Sequence, residues 1–354
     1  MSSDEFMVVY SETPVKEIWS RLGYFENEHN AKEFLSEKNK NLTEEQLVDI
    51  AKRLSFSMRS AKEYYQSATS VSLLTKPLLI FYGMVSLSKA LFTATYMKRS
   101  PSTGHGLESP KDNFENSFGD LSTKVKKDGA FPQFHCCYSK QTLCDMEFTL
   151  KELLSIICEI KVEYESVYKE KSQTIRIKKS RRGLQLVDPE FKKYGDLSQR
   201  LSSLKLGRMQ FSLTGSGVIF YNVSERFPKV RSLSGEEFFV LPLRKHNSDI
   251  LFPEMSAHYL IMYLLGMASR YYPKEWGEIT EGKTSGDIYI IKKFLEVTER
   301  KFPNLILNSL RNGEFVFVSP KLEEEQRIKD SELERIYEYV REKESRELRS
   351  AGIF

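Results

Sequence analysis

The sequence has few cysteines, little net charge and no phosphate-binding loop, and each of these features excludes a class of function. The four cysteines, Cys136, Cys137, Cys144 and Cys158, form no pair of CxxC motifs, which excludes an ordinary zinc finger. The formal net charge is only +4, so the chain as a whole does not have the composition of a polyanion binder. We therefore expect any nucleic-acid surface to be local.

Two further absences concern metals and cofactors. His135 lies next to Cys136 and Cys137, but the spacing of these residues and Cys144 departs from known zinc-ligand spacings, so free thiols in a reducing cytoplasm are the favoured interpretation over a zinc site. The segment TGSG at residues 214–217 lies between two predicted strands and lacks the lysine of a phosphate loop, which favours a hairpin turn. We predict no cofactor.

The sequence also lacks a clear membrane segment. The N-terminus has no basic start followed by an apolar run, as a signal peptide would. The most apolar stretch is Pro77–Met97, but Lys89 lies just past its middle, where a cation costs about 2.5–3.5 kcal/mol in a bilayer. We interpret this stretch as a core helix and predict a cytoplasmic protein with no membrane partner.

The periodicity predicts an α+β fold, predominantly α-helical, with a helical body and a small inserted antiparallel β-sheet. Thr43 and Thr149 are predicted helix N-caps, and Pro303 is predicted to open a separate helix. The predicted regions are an N-terminal helical region with a short hairpin at Asp128-Gly129 (1–171), an inserted basic β-rich region (172–250), C-terminal core helices (251–320) and a charged C-terminal helix (321–354) that is a candidate for contact with a protein partner.

Arg99 and His105 are the candidate catalytic residues. His105 lies between two glycines in a loop, which gives an imidazole the access that acid–base chemistry needs. The Arg-x5-His spacing is similar to that of helical ribonucleases of the HEPN class, although SPSTG between the two residues is a turn sequence rather than a helix. The alternative is a loop histidine that hydrogen-bonds the backbone.

The candidate binding residues fall into two groups. A basic run could follow phosphates of nucleic acid or a nucleotide, or could be a solvated edge hairpin whose lysines prevent sheet-to-sheet pairing. The second group, at the end of an apolar helix, could form a cation–π cage or could seal the helix end. The first group is Arg176, Lys178, Lys179, Arg181 and Arg182, and the second is Arg270, Tyr271 and Trp276.

Two other polar residues are interpreted as structural or accidental. His258 lies within the apolar helix after Pro253, where a core histidine with its hydrogen bonds satisfied is expected. Glu159-Ile160-Lys161, with Asp145 upstream, is similar to a metal-nuclease motif. Those nucleases place the motif on adjacent strands, whereas here it falls on or beside a predicted helix, so we treat the match as accidental.

Several blocks resemble the YaaC-like family of bacterial proteins. They are KPLLIFYGMVSLSKALF, GHGL, TLKELLSII, HYLIMYLLGMASRYYPKEW and KFPNLILNSL, in that order, with WSRLGYFEN and AKEFL near the N-terminus. The likeness spans roughly residues 14–313. The resemblance implies an intracellular bacterial protein, and it implies no reaction and no site residues.

Two functions follow as hypotheses. The first is a non-catalytic binding or regulatory protein that uses the basic insert and the aromatic corner. The second is a HEPN-like nuclease effector, for example in phage defence, that uses Arg99 and His105. The first is preferred because no catalytic constellation has good geometry in its predicted context.

Overall fold

The computed structural model describes residues 6–109, 117–180, 183–186, 210–214, 217–221, 229–245, 248–282 and 286–320. The predicted charged helix at 321–354 lies outside these residues. The helices of the described part are α1 Pro14–Leu22, α2 Glu28–Lys38, α3 Glu44–Ala68, α4 Lys76–Tyr96, α5 Ala130–His135, α6 Leu150–Leu154, α7 Lys161–Tyr168, α8 Glu254–Tyr271, α9 Pro273–Thr280 and α10 Asp287–Arg311.

The strands form small sheets around this helical body. Six of them make an antiparallel sheet in the order β7-β8-β6-β5-β10-β9, and β2-β3-β4 make a second antiparallel sheet. The strands are β1 Met7–Tyr10, β2 Leu107–Glu108, β3 Ser122–Val125, β4 Glu147–Thr149, β5 Thr174–Ser180, β6 Gly183–Leu186, β7 Gln210–Thr214, β8 Gly217–Tyr221, β9 Lys229–Arg231, β10 Glu237–Val240, β11 Leu243–Lys245, β12 Ser248–Ile250 and β13 Phe315–Val318. The predicted α+β class, mostly helical, is confirmed.

Helix α4 lies in the centre of the core. It packs against α3, α8 and α10, and Phe81 on α4 contacts the rings of Tyr259 and Tyr263 on α8 at centroid distances of 5.6 and 5.7 Å. Gly266 of α8 lies over Phe81, where an added Cβ would come within 3.5 Å of the Phe81 Cβ. Although α4 is long and apolar enough to cross a membrane, 67% of its most apolar window is buried inside the protein, as predicted for a core helix.

Local sequence signals determine the starts of two helices. Thr43 and Thr149 each accept a hydrogen bond from a backbone N–H in the first turn, and Gln46 and Glu152 return a bond to the cap residue's own N–H. Both are therefore capping boxes, which satisfy backbone groups that a helix start leaves without partners. The two predicted N-caps are confirmed.

The predicted hairpin at Asp128-Gly129 is wrong, because only its first strand is present. Strand β3 precedes the turn, but the residues after Gly129 form α5 rather than a strand. Pro132 is compatible with this outcome because it lies in the first turn of α5, where no intrahelical N–H bond is required. The antiparallel partners of β3 are β2 and β4 instead.

The predicted helix break at Pro303 is also wrong. Helix α10 continues through Pro303 and ends at Arg311, where Asn312 takes a left-handed conformation with φ of 50°. Pro303 removes one backbone hydrogen bond, but Phe302, Ile306 and other side chains around it are fully buried. Tertiary packing therefore holds the helix together where the local signal predicts a boundary.

Candidate functional site

The loop that carries His105 is fixed to the start of α5 by two glycines. Gly106 and Gly129 both have positive φ, 73° and 137°, and a Cβ on Gly129 would lie 2.2 Å from the Gly106 Cα. This approach lets the backbone N–H of Phe131 donate to the His105 carbonyl at 3.0 Å, and that of Ala130 donate to Gly104 at 2.8 Å. Glycine is required at both positions because other residues rarely adopt this conformation and would clash.

The pinned loop places the His105 imidazole against α4 and α8. The ring lies 5.4 Å from the Phe81 ring and 6.0 Å from the Tyr263 ring. Lys89 and Tyr82 lie two helical turns apart on one face of α4, as do Tyr263 and Arg270 on α8. We call the group Phe81, Tyr82, Lys89, His105, Tyr263 and Arg270 the His105 site.

Two cations act on the imidazole. Burial lowers the pKa of His105, and the charges of Lys89 and Arg270 lower it further, so the ring is neutral at pH 7. The Arg270 guanidinium donates a hydrogen bond to an uncharged acceptor, the Tyr82 hydroxyl, at 3.2 Å. In the described part of the chain, no carboxylate forms an ion pair with either cation. The nearest carboxylate to His105 along the chain, that of Glu108, pairs instead with Lys126 at 3.3 Å.

Arg99, the predicted partner of His105, lies against a different set of residues. Its guanidinium is over the rings of Phe92 and Tyr96 at 5.6 and 5.4 Å, and its carbonyl accepts from Arg53. The arginine whose charge acts on His105 is Arg270. The structure therefore brings His105 together with a residue that the sequence placed in the other candidate group.

The aromatic corner divides between surface and core. The Arg270 guanidinium lies 4.9 Å from the centre of the Tyr271 ring, which is 54% exposed. Trp276 is fully buried, and its indole N–H donates to the Leu74 carbonyl at 3.0 Å. Trp276 therefore lies in the core, which corrects its predicted place in a surface cage, whereas Arg270 and Tyr271 are exposed.

The basic run is less available than its sequence suggests. Arg176 on β5 forms an ion pair with Glu236, whereas Lys178 on the same strand is exposed. Arg181, Arg182 and the side chain of Lys179 lie outside the described residues. The charge of Arg176 is therefore paired within the protein, whereas that of Lys178 is exposed to solvent.

A second group of charges is buried between α8, α10 and the short helical turn at Cys158–Ile160. Lys301 Nζ lies 2.9 Å from Glu159 Oε1 and 3.4 Å from Glu254 Oε1. The side chains of all three residues are at most 7% exposed. His258, one turn after Glu254, contacts Thr298 Oγ1 through Nδ1 at 2.8 Å. We call Glu159, Glu254, His258 and Lys301 the Lys301 cluster.

Burial and ion pairing act in opposite directions on the pKa values in this cluster. Burial alone would lower the pKa of Lys301, but the carboxylates of Glu159 and Glu254 outweigh it and raise that pKa. Burial raises the pKa of Glu254 to about 7, although Lys301 opposes the shift. Burial also lowers the pKa of His258 to about 3, so this histidine is a neutral core residue, as predicted. The predicted satisfaction of its hydrogen bonds is wrong for one ring nitrogen, because Nε2 is buried without a partner.

His135, the histidine considered for a zinc site, is engaged by other protein groups. Both ring nitrogens of His135 are engaged, with Ser256 Oγ at 2.8 Å and the Gln141 carbonyl at 2.9 Å. Among the described residues, the one group with ligand atoms close enough for a metal is Cys158, Glu159 and Glu254. The two carboxylates of this group, Glu159 and Glu254, already form ion pairs with the ammonium of Lys301.

The sequence patterns assign no site role to Lys89, Glu254 or Lys301. A signal was present for Lys89, because a cation in an otherwise apolar helix must reach an anion or the surface. No comparable local signal marks Glu254 or Lys301, whose partners are distant in the chain. Glu159 was noticed, but its partner is Lys301 rather than a metal ion.

A family model described as YaaC-like Protein matches residues 23–310 of the 354-residue chain. The matched region includes both the His105 site and the Lys301 cluster. No curated protein matches the chain, and no solved structure matches it.

Proposed function

The chain belongs to the YaaC-like family, and we propose that it is a non-catalytic binding protein whose His105 site takes a phosphate-bearing ligand, either a nucleotide or single-stranded nucleic acid. The observation that carries the proposal is the pair of cations, Lys89 and Arg270, beside a half-buried histidine, with no carboxylate of the described residues in an ion pair with either of them.

Charge favours an anionic ligand at this position. The charges of Lys89 and Arg270 both disfavour a protonated imidazole in the free protein, and a phosphate bound among these groups would offset those charges. Arginine offers several donors in a planar fork that suits phosphate oxygens. Protonation of His105 on binding would add a third positive charge.

Aromatic side chains favour a ligand that also carries a base. Tyr271 is exposed beside Arg270, and the Tyr82 ring stacks on that of Tyr64 at 5.7 Å. Proteins that bind single strands combine cations for the backbone with aromatic faces on which bases stack. The predicted basic insert around Lys178, Arg181 and Arg182 would extend such a surface, and it remains a prediction from sequence.

Binding should be measured by fluorescence anisotropy with labelled single-stranded RNA, single-stranded DNA and ATP, with inorganic phosphate as competitor. The double variant Lys89→Gln/Arg270→Gln should weaken binding about tenfold or more and reduce the salt dependence of log K by about one to two. The arms that bind identify whether the ligand is a polymer or a free nucleotide.

The matched control is Lys16→Gln/Lys292→Gln, which removes the same charge from exposed positions on α1 and α10. Retention of full affinity by the Lys89/Arg270 variant, or an equal loss in the control, would contradict the proposal. A separate Arg181→Gln/Arg182→Gln variant tests the basic insert alone. Unchanged binding in that variant would show that the insert does not contribute to ligand binding.

A second candidate function, a HEPN-like nuclease, draws support from the neutral state of His105. A neutral imidazole beside two cations has the composition of a base next to groups that stabilise phosphate charge. In that case the arginine would be Arg270 rather than Arg99. RNA and DNA cleavage that His105→Ala abolishes would favour a nuclease effector, such as those of phage defence, whereas absence of cleavage in both proteins leaves the binding proposal.

The cellular setting is part of the proposal. Free thiols at Cys136, Cys137, Cys144 and Cys158 agree with a reducing cytoplasm. Regulation through a protein partner at residues 321–354 stays a prediction from the charge pattern alone.

A further inference from the structure

A cavity of about 200 Å³ lies beside the Lys301 cluster, between α10 and strands β9 and β13. Helix α10 contributes Arg300, Lys301 and Asn304 to its wall, and Glu254 contributes from the first turn of α8. Half-buried residues, among them Leu305 and Glu314, also line the cavity. The wall of the cavity therefore combines buried polar residues with partly exposed ones.

Two buried acceptors in this wall lack a hydrogen-bond donor from the protein. Glu254 Oε1 and Asn304 Oδ1 are both without a partner, and each residue is 9% exposed. Glu254 Oε1 is within ion-pair range of Lys301 without hydrogen-bond geometry. Asn304 is held by its other atom, because Nδ2 donates to the Phe315 carbonyl at 3.0 Å. Buried acceptors without donors are costly, so the wall is suited to a molecule that carries N–H or O–H donors.

The opposite requirement holds for Arg300. Its Nη2 donates to the carbonyls of Leu233 and Phe317, but Nε is buried and has no acceptor. Among the described residues, no carboxylate forms an ion pair with Arg300, whereas neighbouring Arg231 pairs with both Glu237 and Glu314. A half-buried guanidinium bonded only to carbonyls is suited to an added carboxylate.

We propose that this cavity binds a small zwitterion of the α-amino-acid type. Its ammonium group would donate to Glu254 Oε1 and Asn304 Oδ1, and its carboxylate would accept from Arg300. The apolar residues of the wall, among them Val230, Leu305 and Phe315, would contact an aliphatic side chain. The cavity volume suits a molecule of this size, and ligand sites combine apolar walls with a few convergent polar groups.

Other ligand classes fit this wall less well. A phosphate dianion would face the carboxylates of Glu254 and Glu314, which line the same cavity. A metal ion would compete with the Lys301 ammonium for Glu159 and Glu254. A zwitterion meets both signs of charge with its own complementary groups.

The experiment uses the full chain and each of the twenty protein L-amino acids, screened by thermal shift and measured by titration calorimetry. We expect one amino acid or a small related group to bind. Arg300→Lys and Glu254→Gln should each weaken that binding about 10- to 100-fold, since each removes a charge-assisted hydrogen bond. The D-enantiomer and the decarboxylated amine of the best ligand should bind much more weakly.

Matched controls lie on α10 itself. Glu296→Gln makes the same chemical change at an exposed position, and Arg311→Lys does so at the end of the helix. Circular dichroism shows whether each variant is folded, and Arg300→Lys keeps the positive charge so that folding is preserved. The proposal is overturned if none of the amino acids binds, or if binding is unchanged in both Arg300→Lys and Glu254→Gln. Neither outcome affects the His105 site, because the ligands and variants are different.

Discussion

The His105 site and the Lys301 cluster both contain charged groups and a histidine, but they treat charge in opposite ways. In the His105 site two cations lie near the surface without carboxylate partners among the described residues. In the Lys301 cluster one buried cation is shared between two buried carboxylates. The first arrangement leaves charge available to a ligand, whereas the second uses charge to neutralise charge within the fold.

This difference has an energetic consequence. Exposed charges interact through water and contribute little to stability, so their loss changes the free energy of unfolding by roughly 0.5 kcal/mol or less. Buried charges have lost their hydration and depend on each other, so removal of one leaves the others uncompensated. Substitution of Lys301 should therefore report on stability, whereas substitution of Lys89 or Arg270 should report on ligand binding.

The largest effect is expected at Lys301. Lys301→Met keeps the side-chain length but leaves Glu159 and Glu254 buried without a cation, and we expect a loss of about 3–5 kcal/mol in the free energy of unfolding. Urea denaturation measures it. Lys292→Met, an exposed change on the same helix, should cost roughly 0.5 kcal/mol or less. If the two variants were equally stable, the cluster would not hold the fold together.

A smaller effect is expected from the proton on Glu254. Its pKa is raised from 4.5 to about 7 in the folded protein, so between these values the folded state binds a proton that the unfolded chain has released. The stabilising contribution is complete below pH 4.5 and is lost as the pH rises through about 7. Relative to Glu254→Gln, the wild type should lose roughly 2 kcal/mol between pH 5 and pH 8.

The comparison with Glu254→Gln cancels the titration of other groups. His258 works in the opposite direction, because its pKa is lowered from 6.5 to about 3, so its contribution is lost as the pH falls below 6.5. Glu296→Gln should show no such pH-dependent difference from wild type. A wild type that kept or gained stability relative to Glu254→Gln as the pH rose from 5 to 8 would contradict the raised pKa of Glu254.

The sequence predicts the fold where local signals are strong. The caps at Thr43 and Thr149 depend on residues within one turn of each other, and the structure has these helix starts where the sequence predicts them. Pro303 is the opposite case, because a local break signal is overridden by the buried neighbours of α10.

The candidate sites depend on contacts that no local pattern encodes. Lys301 and Glu159 are 142 residues apart in the chain, and the parallel pairing of β1 with β13 joins the two ends of the described region. His105 was found because the GHG sequence is a local signal. The influence of Arg270 on His105 has no local signal, because these residues are 165 positions apart in the chain and are brought near each other by the packing of α8 on α4.

The smallest expected effect is also the most direct test of that pairing. The charges of Lys89 and Arg270 contribute to the lowered pKa of His105 after burial, so Lys89→Met and Arg270→Met should each raise it. An NMR pH titration of the histidine ring protons, with the His105 signal assigned by its loss in His105→Gln, measures the change. Arg99→Met is the matched control and should leave the pKa unchanged, because that guanidinium lies over Phe92 and Tyr96.

A shift in Arg99→Met and none in Arg270→Met would restore the pairing predicted from sequence and contradict the His105 site as defined by the structure. Added inorganic phosphate provides the second reading of the same signal. An anion bound between Lys89 and Arg270 offsets their charge, so it should raise the pKa of His105 in the wild type and do so less in either Met variant. The pKa of His105 should rise with phosphate only if Lys89 and Arg270 can bind the anion. The titration therefore distinguishes cations that can bind a ligand from cations, such as Lys301, that are already paired within the fold.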